Sequence, residues 1–146
     1  MYPWLTNWLI KDCEIRLNHG VAAKIGGRNS KIVNCYIHHN GHVGVTGGGT
    51  NTELVDCEIS YNNYALVNKG WEAGGVKLVW TDSVRVACNY VHDNLGDGIW
   101  FDINCRNSII ENNRIEHNKD AGIHYEISYN SIIRCNELKN NGWRWR

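Results

Sequence analysis

The stretch Gly98–Ser128, GIWFDINCRNSIIENNRIEHNKDAGIHYEIS, holds one phrase twice. Gly98-Ile99-Trp100-Phe101-Asp102-Ile103 returns 24 residues later as Gly122-Ile123-His124-Tyr125-Glu126-Ile127. Two shorter apolar segments lie between the copies, Ser108-Ile109-Ile110 and Arg114-Ile115-Glu116. Ile99, Phe101 and Ile103 recur at every second position, and so do Ile123, Tyr125 and Ile127. That is the period of a β-strand, and no 3.6-residue period competes with it.

The same grammar extends across the chain. Apolar anchors at Ile15, Ile37, Ile59, Val91, Ile115 and Leu138 are each followed three residues later by Asn18, Asn40, Asn62, Asn94, Asn118 and Asn141. Five residues before the anchors stand Ile10, Ile32, Leu54, Val86, Ile110 and Ile133. Two residues before them stand Cys13, Cys35, Cys57, Asn89, Asn113 and Asn136. The asparagines are spaced by 22, 22, 32, 24 and 23 residues. A unit of 22–24 residues with three short strands cannot bury its apolar face alone, so it must stack on its neighbours. The expected fold is all-β: a right-handed parallel β-helix solenoid of about six coils, in one domain spanning 1–146. The long interval places an insertion at 63–73, in the turn before Gly75.

Composition agrees. The 146 residues carry 15 acidic and 15 basic side chains, one proline and 15 glycines. The absence of a basic block argues against nucleic acid as a partner. No apolar run approaches the ~20 residues of a membrane helix, so no membrane partner is expected. Met1-Tyr2-Pro3-Trp4 lacks the basic and apolar regions of a signal peptide.

Stacked coils bring like residues together at ~4.8 Å. Asn89, Asn113 and Asn136 then form a ladder, because a buried amide without partners is costly. Cys13, Cys35 and Cys57 fill the same slot as small buried hydrophobes. Cys88 and Cys135 fall one residue earlier and Cys105 lies apart, so the six cysteines do not settle the redox compartment. His38, His39 and His42 read as surface histidines, and His92 and His117 as lacking partners. The chain reads as a piece of a longer solenoid, whose uncapped coils would favour end-to-end association. The alternative is that Trp4, Trp8, Trp143 and Trp145 act as lids.

The N-x-I-x-x-N…G-I pattern resembles the right-handed parallel β-helix repeats of the pectate-lyase-like superfold, including its carbohydrate-binding and sugar-hydrolase group. Gly98-Ile-Trp-Phe-Asp102-Ile and His124-Tyr-Glu126-Ile-Ser-Tyr129 are similar to phrases of secreted bacterial β-helix proteins that act on polysaccharides. The resemblance covers nearly the whole chain. It implies an extracellular or cell-surface location and a polysaccharide substrate or ligand, with an acidic polysaccharide as the candidate, handled by a lyase or glycoside hydrolase. The polygalacturonase phrases N-T-D, D-D, G-H-G and R-I-K are missing, as is the pectate lyase W-x-D-H.

Alternation assigns the candidate site. Lys77, Trp100 and His124 point outward in one row, and Val79, Asp102 and Glu126 in the next. Asp102 and Glu126 would stand ~5 Å apart at the backbone, close to the separation of retaining glycosidase carboxylates. They are the expected acid/base pair, with His124 and Lys77 as auxiliary catalytic groups. The same two acids could instead bind Ca²⁺. The cation would neutralise a uronate while Lys77 or His124 acts as the base of a β-elimination. Trp100 and Trp71 are candidate platforms for sugar rings, with Glu72, Asp97 and Asp120 at the rim. The other reading is a non-catalytic glycan-binding or adhesion module.

Overall fold

In the computed structural model, which describes residues 6–142, the chain winds into a parallel β-helix with three sheets. The first sheet stacks β1 (Leu9–Lys11), β4 (Lys31–Val33), β7 (Glu53–Val55), β10 (Arg85–Ala87), β13 (Ile109–Glu111) and β16 (Ile132–Arg134). The second stacks β2 (Glu14–Arg16), β5 (Tyr36–His38), β8 (Glu58–Ser60), β11 (Tyr90–His92), β14 (Arg114–Glu116) and β17 (Glu137–Lys139). The third contains β3 (Ala23–Ile25), β6 (Val43–Gly47), β9 (Gly74–Val79), β12 (Asp97–Asp102) and β15 (Ile123–Tyr125). Each turn of the solenoid visits the sheets in that order, giving about six turns.

The register follows the repeat. Ile10, Ile32, Leu54, Val86, Ile110 and Ile133 pair in one column. Ile15, Ile37, Ile59, Val91, Ile115 and Leu138 pair in another. With Val76, Leu78, Ile99 and Phe101 the members from Ile10 to Ile110 and from Ile15 to Ile115 form the core, whereas Ile133 and Leu138 of the last coil are exposed. A fully buried side chain such as Phe101 contributes about 2–3 kcal/mol by removal from water.

Two amide ladders run along the axis. The Asn89–Asn113–Asn136 ladder forms, each side chain donating to the next at 2.9 Å. Cys57 joins it from below, its backbone N–H donating to Asn89 Oδ1 at 2.9 Å. A second, longer ladder links Asn18, Asn40, Asn62, Asn94, Asn118 and Asn141. These asparagines mark the repeat in the sequence, and the structure gives the reason: each amide also satisfies a turn carbonyl, as Asn94 does for Ile59 and His92.

All six cysteines are free. Burial pushes the Cys57 thiol up to about 12, which keeps it protonated and inert. Cys88 and Cys135 occupy a different position for a backbone reason. They share the corner of Asp12, Asn34, Asp56 and Asn112, where every residue has φ near 55°. Asn and Asp suit that left-handed conformation best, and the two cysteines are tolerated there.

The glycine that opens the third-sheet strands is required by close approach. A Cβ on Gly98 would lie 2.6 Å from the Gly122 carbonyl oxygen and 2.8 Å from Ile115 Cγ2. A Cβ on Gly75 would lie 2.5 Å from the Gly98 carbonyl oxygen. The phrase Gly-Ile or Gly-Val is thus the signature of a strand pressed against its neighbours.

Residues 63–73 form the insertion between β8 and β9. It contains one helical turn, α1 (Lys69–Glu72), capped by the Asn68 side chain, which accepts from Gly70 N–H at 3.0 Å. Of the four proposed lid tryptophans, Trp8 packs against the core, whereas Trp4, Trp143 and Trp145 lie outside the described residues. No helix among the described residues is long and apolar enough to cross a membrane.

Candidate functional site

The outer face of the third sheet carries the candidate residues. Trp100 pairs in register with Lys77 on one side and His124 on the other. Glu126 follows β15 and its N–H donates to the Phe101 carbonyl at 3.0 Å, which places it beside Asp102. The insertion stands over this face. Lys69 pairs with Asp120, Lys77 donates to the Trp71 carbonyl, and Thr46 Oγ1 donates to Glu72 Oε1 at 2.7 Å. The result is an open cleft. A volume of about 660 Å³ lies between Lys69, Asp97, Trp100, Asp120, His124 and Glu126. It continues into about 360 Å³ between Trp71, Glu72, Lys77, Asp102 and Glu126.

Within the cleft the partnerships differ from a simple carboxylate pair. Asp102 Oδ2 lies 3.1 Å from Lys77 Nζ, and both side chains are about nine-tenths buried. Glu126 Oε1 accepts from the Trp100 indole N–H at 3.1 Å. Asp102 therefore turns back to the preceding coil and Glu126 binds the indole. A strand residue has a neighbour on each side, and Asp102 has Lys77 within reach in place of a second carboxylate.

Trp100 is not an open platform. It is 4% exposed. Lys77 Nζ sits 3.4 Å from its ring centroid, and the His124 imidazole stacks on it at 4.9 Å between centroids and 8° between planes. The cation–π contact and the stacked imidazole occupy the faces that a sugar ring would need. Trp71 is 75% exposed at the rim and keeps that capacity.

The relationship that spacing did not reveal is between Asp97 and His124. His124 Nδ1 lies 3.1 Å from Asp97 Oδ2, while Asp97 Oδ1 accepts from Ala121 N–H at 2.8 Å. Asp97 is buried, and desolvation pushes its carboxyl above the ordinary aspartate value against the opposing pull of His124. The other imidazole nitrogen, Nε2, faces Glu126 Oε1 at 3.8 Å. His124 and Glu126 are 38% and 39% exposed, so both open into the cleft. A carboxylate behind Nδ1 fixes which nitrogen carries the proton and leaves Nε2 for proton exchange.

Asp102 is committed to an ammonium group, and among the described residues no three His, Cys, Asp or Glu side chains converge as metal ligands.

Histidines outside the cleft also have partners. His38 and His92 are buried rather than superficial. His38 Nε2 is 3.1 Å from Glu14 Oε1, and His92 lies 3.2 Å from Glu58 Oε1 and 2.8 Å from Asp93 Oδ2. Tyr36 and Tyr90 stack on them at 3.8 and 4.0 Å. The expectations that His38 lies on the surface and that His92 lacks partners are thereby corrected: a Tyr ring two residues away on the same strand covers each of them.

Three parallel sheets, in-register columns and a repeat of 22–24 residues meet a matching family description, the right-handed β-helix region, over residues 4–143. The chain belongs to the right-handed β-helix family. No curated protein matches the sequence. Two solved structures share its fold. One is DFA-IIIase from Arthrobacter chlorophenolicus A6 in complex with GF2, with a TM-score of 0.68 at 15% identity over 86% of this chain. The other is the periplasmic alginate epimerase AlgG, with a TM-score of 0.65 at 11% identity over 96% of this chain. This β-helix spans 27% of the first protein's length and 36% of the second's.

Proposed function

We propose that this β-helix protein processes a polysaccharide in the cleft beneath the insertion, as a glycoside hydrolase or lyase. The observation that carries the reading is the array Asp97–His124–Glu126, which places two proton-exchanging groups side by side in an open cleft of about 660 Å³. Hydrolysis needs one group to protonate the glycosidic oxygen and another to take a proton from water. Elimination needs a base for the proton next to a uronate carboxylate. His124 and Glu126 could fill either pair of roles. Asp97 is a positioning residue, and the Lys77–Asp102 ion pair a fixed wall that holds Trp100. The fold neighbours support a glycan substrate, since one is a DFA-IIIase bound to GF2 and the other an alginate epimerase. The periplasmic neighbour supports a location outside the cytoplasm.

The test is a screen of the protein on acidic and neutral polysaccharides, with and without EDTA, following unsaturated products and reducing ends. Glu126→Gln and His124→Ala are run beside it, together with Asp102→Asn. Turnover lost in the first two supports the assignment, and turnover that survives both sinks it.

A second reading is a glycan-binding module without turnover. The exposed indole of Trp71 favours it, because that platform holds a sugar ring whether or not a bond is broken. Binding weakened several-fold by Trp71→Ala in a protein that binds but cleaves no glycan would establish this alternative.

A further inference from the structure

The charges that line the cleft bear on which glycan it accepts. Resting on the glycan reading above, we infer that the cleft takes an uncharged sugar chain and rejects uronate chains. Two ammonium groups face the cleft, and each is already matched: Lys69 by Asp120 and Lys77 by Asp102. Three further carboxylates, Glu72, Asp97 and Glu126, have no lysine or arginine of their own among the described lining residues, and Asp97 and Glu126 share the single His124 imidazole, which leaves acids in excess. Recognition of a uronate carboxylate calls for an arginine fork, an unspent ammonium or a bridging cation. Among the described residues no arginine lines the cleft, both ammonium groups are paired with carboxylates, and the acids do not converge as calcium ligands. A polyuronate would bring a carboxylate with every sugar into a cleft that already holds a surplus of negative charge. Sugar hydroxyls, in contrast, donate to carboxylates, and the exposed Trp71 indole offers an apolar face to a sugar ring.

The inference also selects the chemistry. Elimination requires a uronate carbonyl, as carboxylate or ester, next to the abstracted proton, so an uncharged chain supports it only where its uronates are esterified. On every other neutral chain hydrolysis remains: water delivers its hydroxyl to the anomeric carbon and its proton, by way of the acid and base, to the departing glycosidic oxygen. Nothing is oxidised or reduced.

The test uses affinity electrophoresis in EDTA, with polymers that differ in charge alone. Methyl-esterified and de-esterified homogalacturonan form one pair, and hydroxyethyl- and carboxymethyl-cellulose another. Starch, xylan, galactan and laminarin extend the neutral set. The expected result is retention by at least one neutral polymer and at least tenfold weaker retention by the charged member of each pair at low salt. Added salt should narrow that gap, because it screens the repulsion. Asp120→Asn, which releases Lys69, should raise retention by the charged polymers severalfold. Equal or stronger retention by the charged members at low salt overturns this inference and leaves the glycan reading standing. Retention by no polymer overturns both.

Discussion

His124 Nδ1 stands 3.1 Å from Asp97 Oδ2, joining the middle of one third-sheet strand to the start of the strand before it. The contact runs diagonally across neighbouring coils. It fixes the imidazole against the Trp100 ring and turns Nε2 toward Glu126. On the proposed glycan chemistry, His124→Ala should lower turnover by about 100-fold or more, the usual size of a lost acid or base. Asp97→Asn should lower it less and displace the pH profile, because a positioning residue acts through the imidazole. A profile of kcat/KM against pH for both variants checks this.

The buried carboxyl of Asp97 also predicts a pH-dependent stability. Its pKa is raised in the folded state, chiefly by desolvation. A raised pKa means that the folded protein binds the proton more tightly than the unfolded chain. The group's stabilising contribution is therefore full below the unfolded value of about 3.9 and is lost as pH rises through the folded value. The stability of the wild type relative to Asp97→Asn should fall as pH is raised from about 3 toward neutrality. Thermal denaturation of both proteins across that range reads the slope, and the opposite slope refutes it.

Trp71 separates binding from folding. Its side chain is 75% exposed on the insertion, so Trp71→Ala should change stability by no more than about 0.5 kcal/mol. Loss of a stacked sugar should cost about 0.5–1.5 kcal/mol of affinity, roughly a twofold to twelvefold rise in Kd. Calorimetry on a retained glycan, beside a denaturant melt, measures the two effects independently.

The longer amide ladder should be a stability element. Asn94 Oδ1 accepts from the backbone and side chain of Asn62, and Asn94 Nδ2 donates to Ile59, His92 and Asn118. Asn94→Ala leaves several buried groups without partners and should destabilise by about 2–4 kcal/mol. Asn94→Asp should also destabilise, since a carboxylate accepts but cannot donate to three acceptors. Urea unfolding followed by circular dichroism gives both values.

Gly98→Ala tests the tight contact between coils. The added methyl would meet the Gly122 carbonyl at 2.6 Å, too close for any real Cβ. The strands must separate or shift, at a cost of about 1–3 kcal/mol as for other overpacked sites. The same substitution at Gly20, which has open space around it, should be nearly neutral.

The amino-acid sequence by itself determined the fold, the coil register and the position of the insertion. A solenoid repeats its backbone every coil, so equal spacing along the chain becomes direct stacking in space, and Ile10 must meet Ile32 as Val86 meets Ile110. The ladder at Asn89, Asn113 and Asn136 followed from the same arithmetic. Alternation likewise told inward Phe101 from outward Asp102. It did not tell which way an outward side chain leans. Asp102 stands between Val79 and Glu126 in its own row, yet reaches Lys77 in the adjoining one, because an opposite charge attracts where a like charge repels. Long, flexible side chains have such choices, and packing and electrostatics settle them only after the coils have stacked. The sandwich of Lys77, Trp100 and His124, and the pairing of His124 with Asp97, belong to that second level, which only the tertiary structure decided.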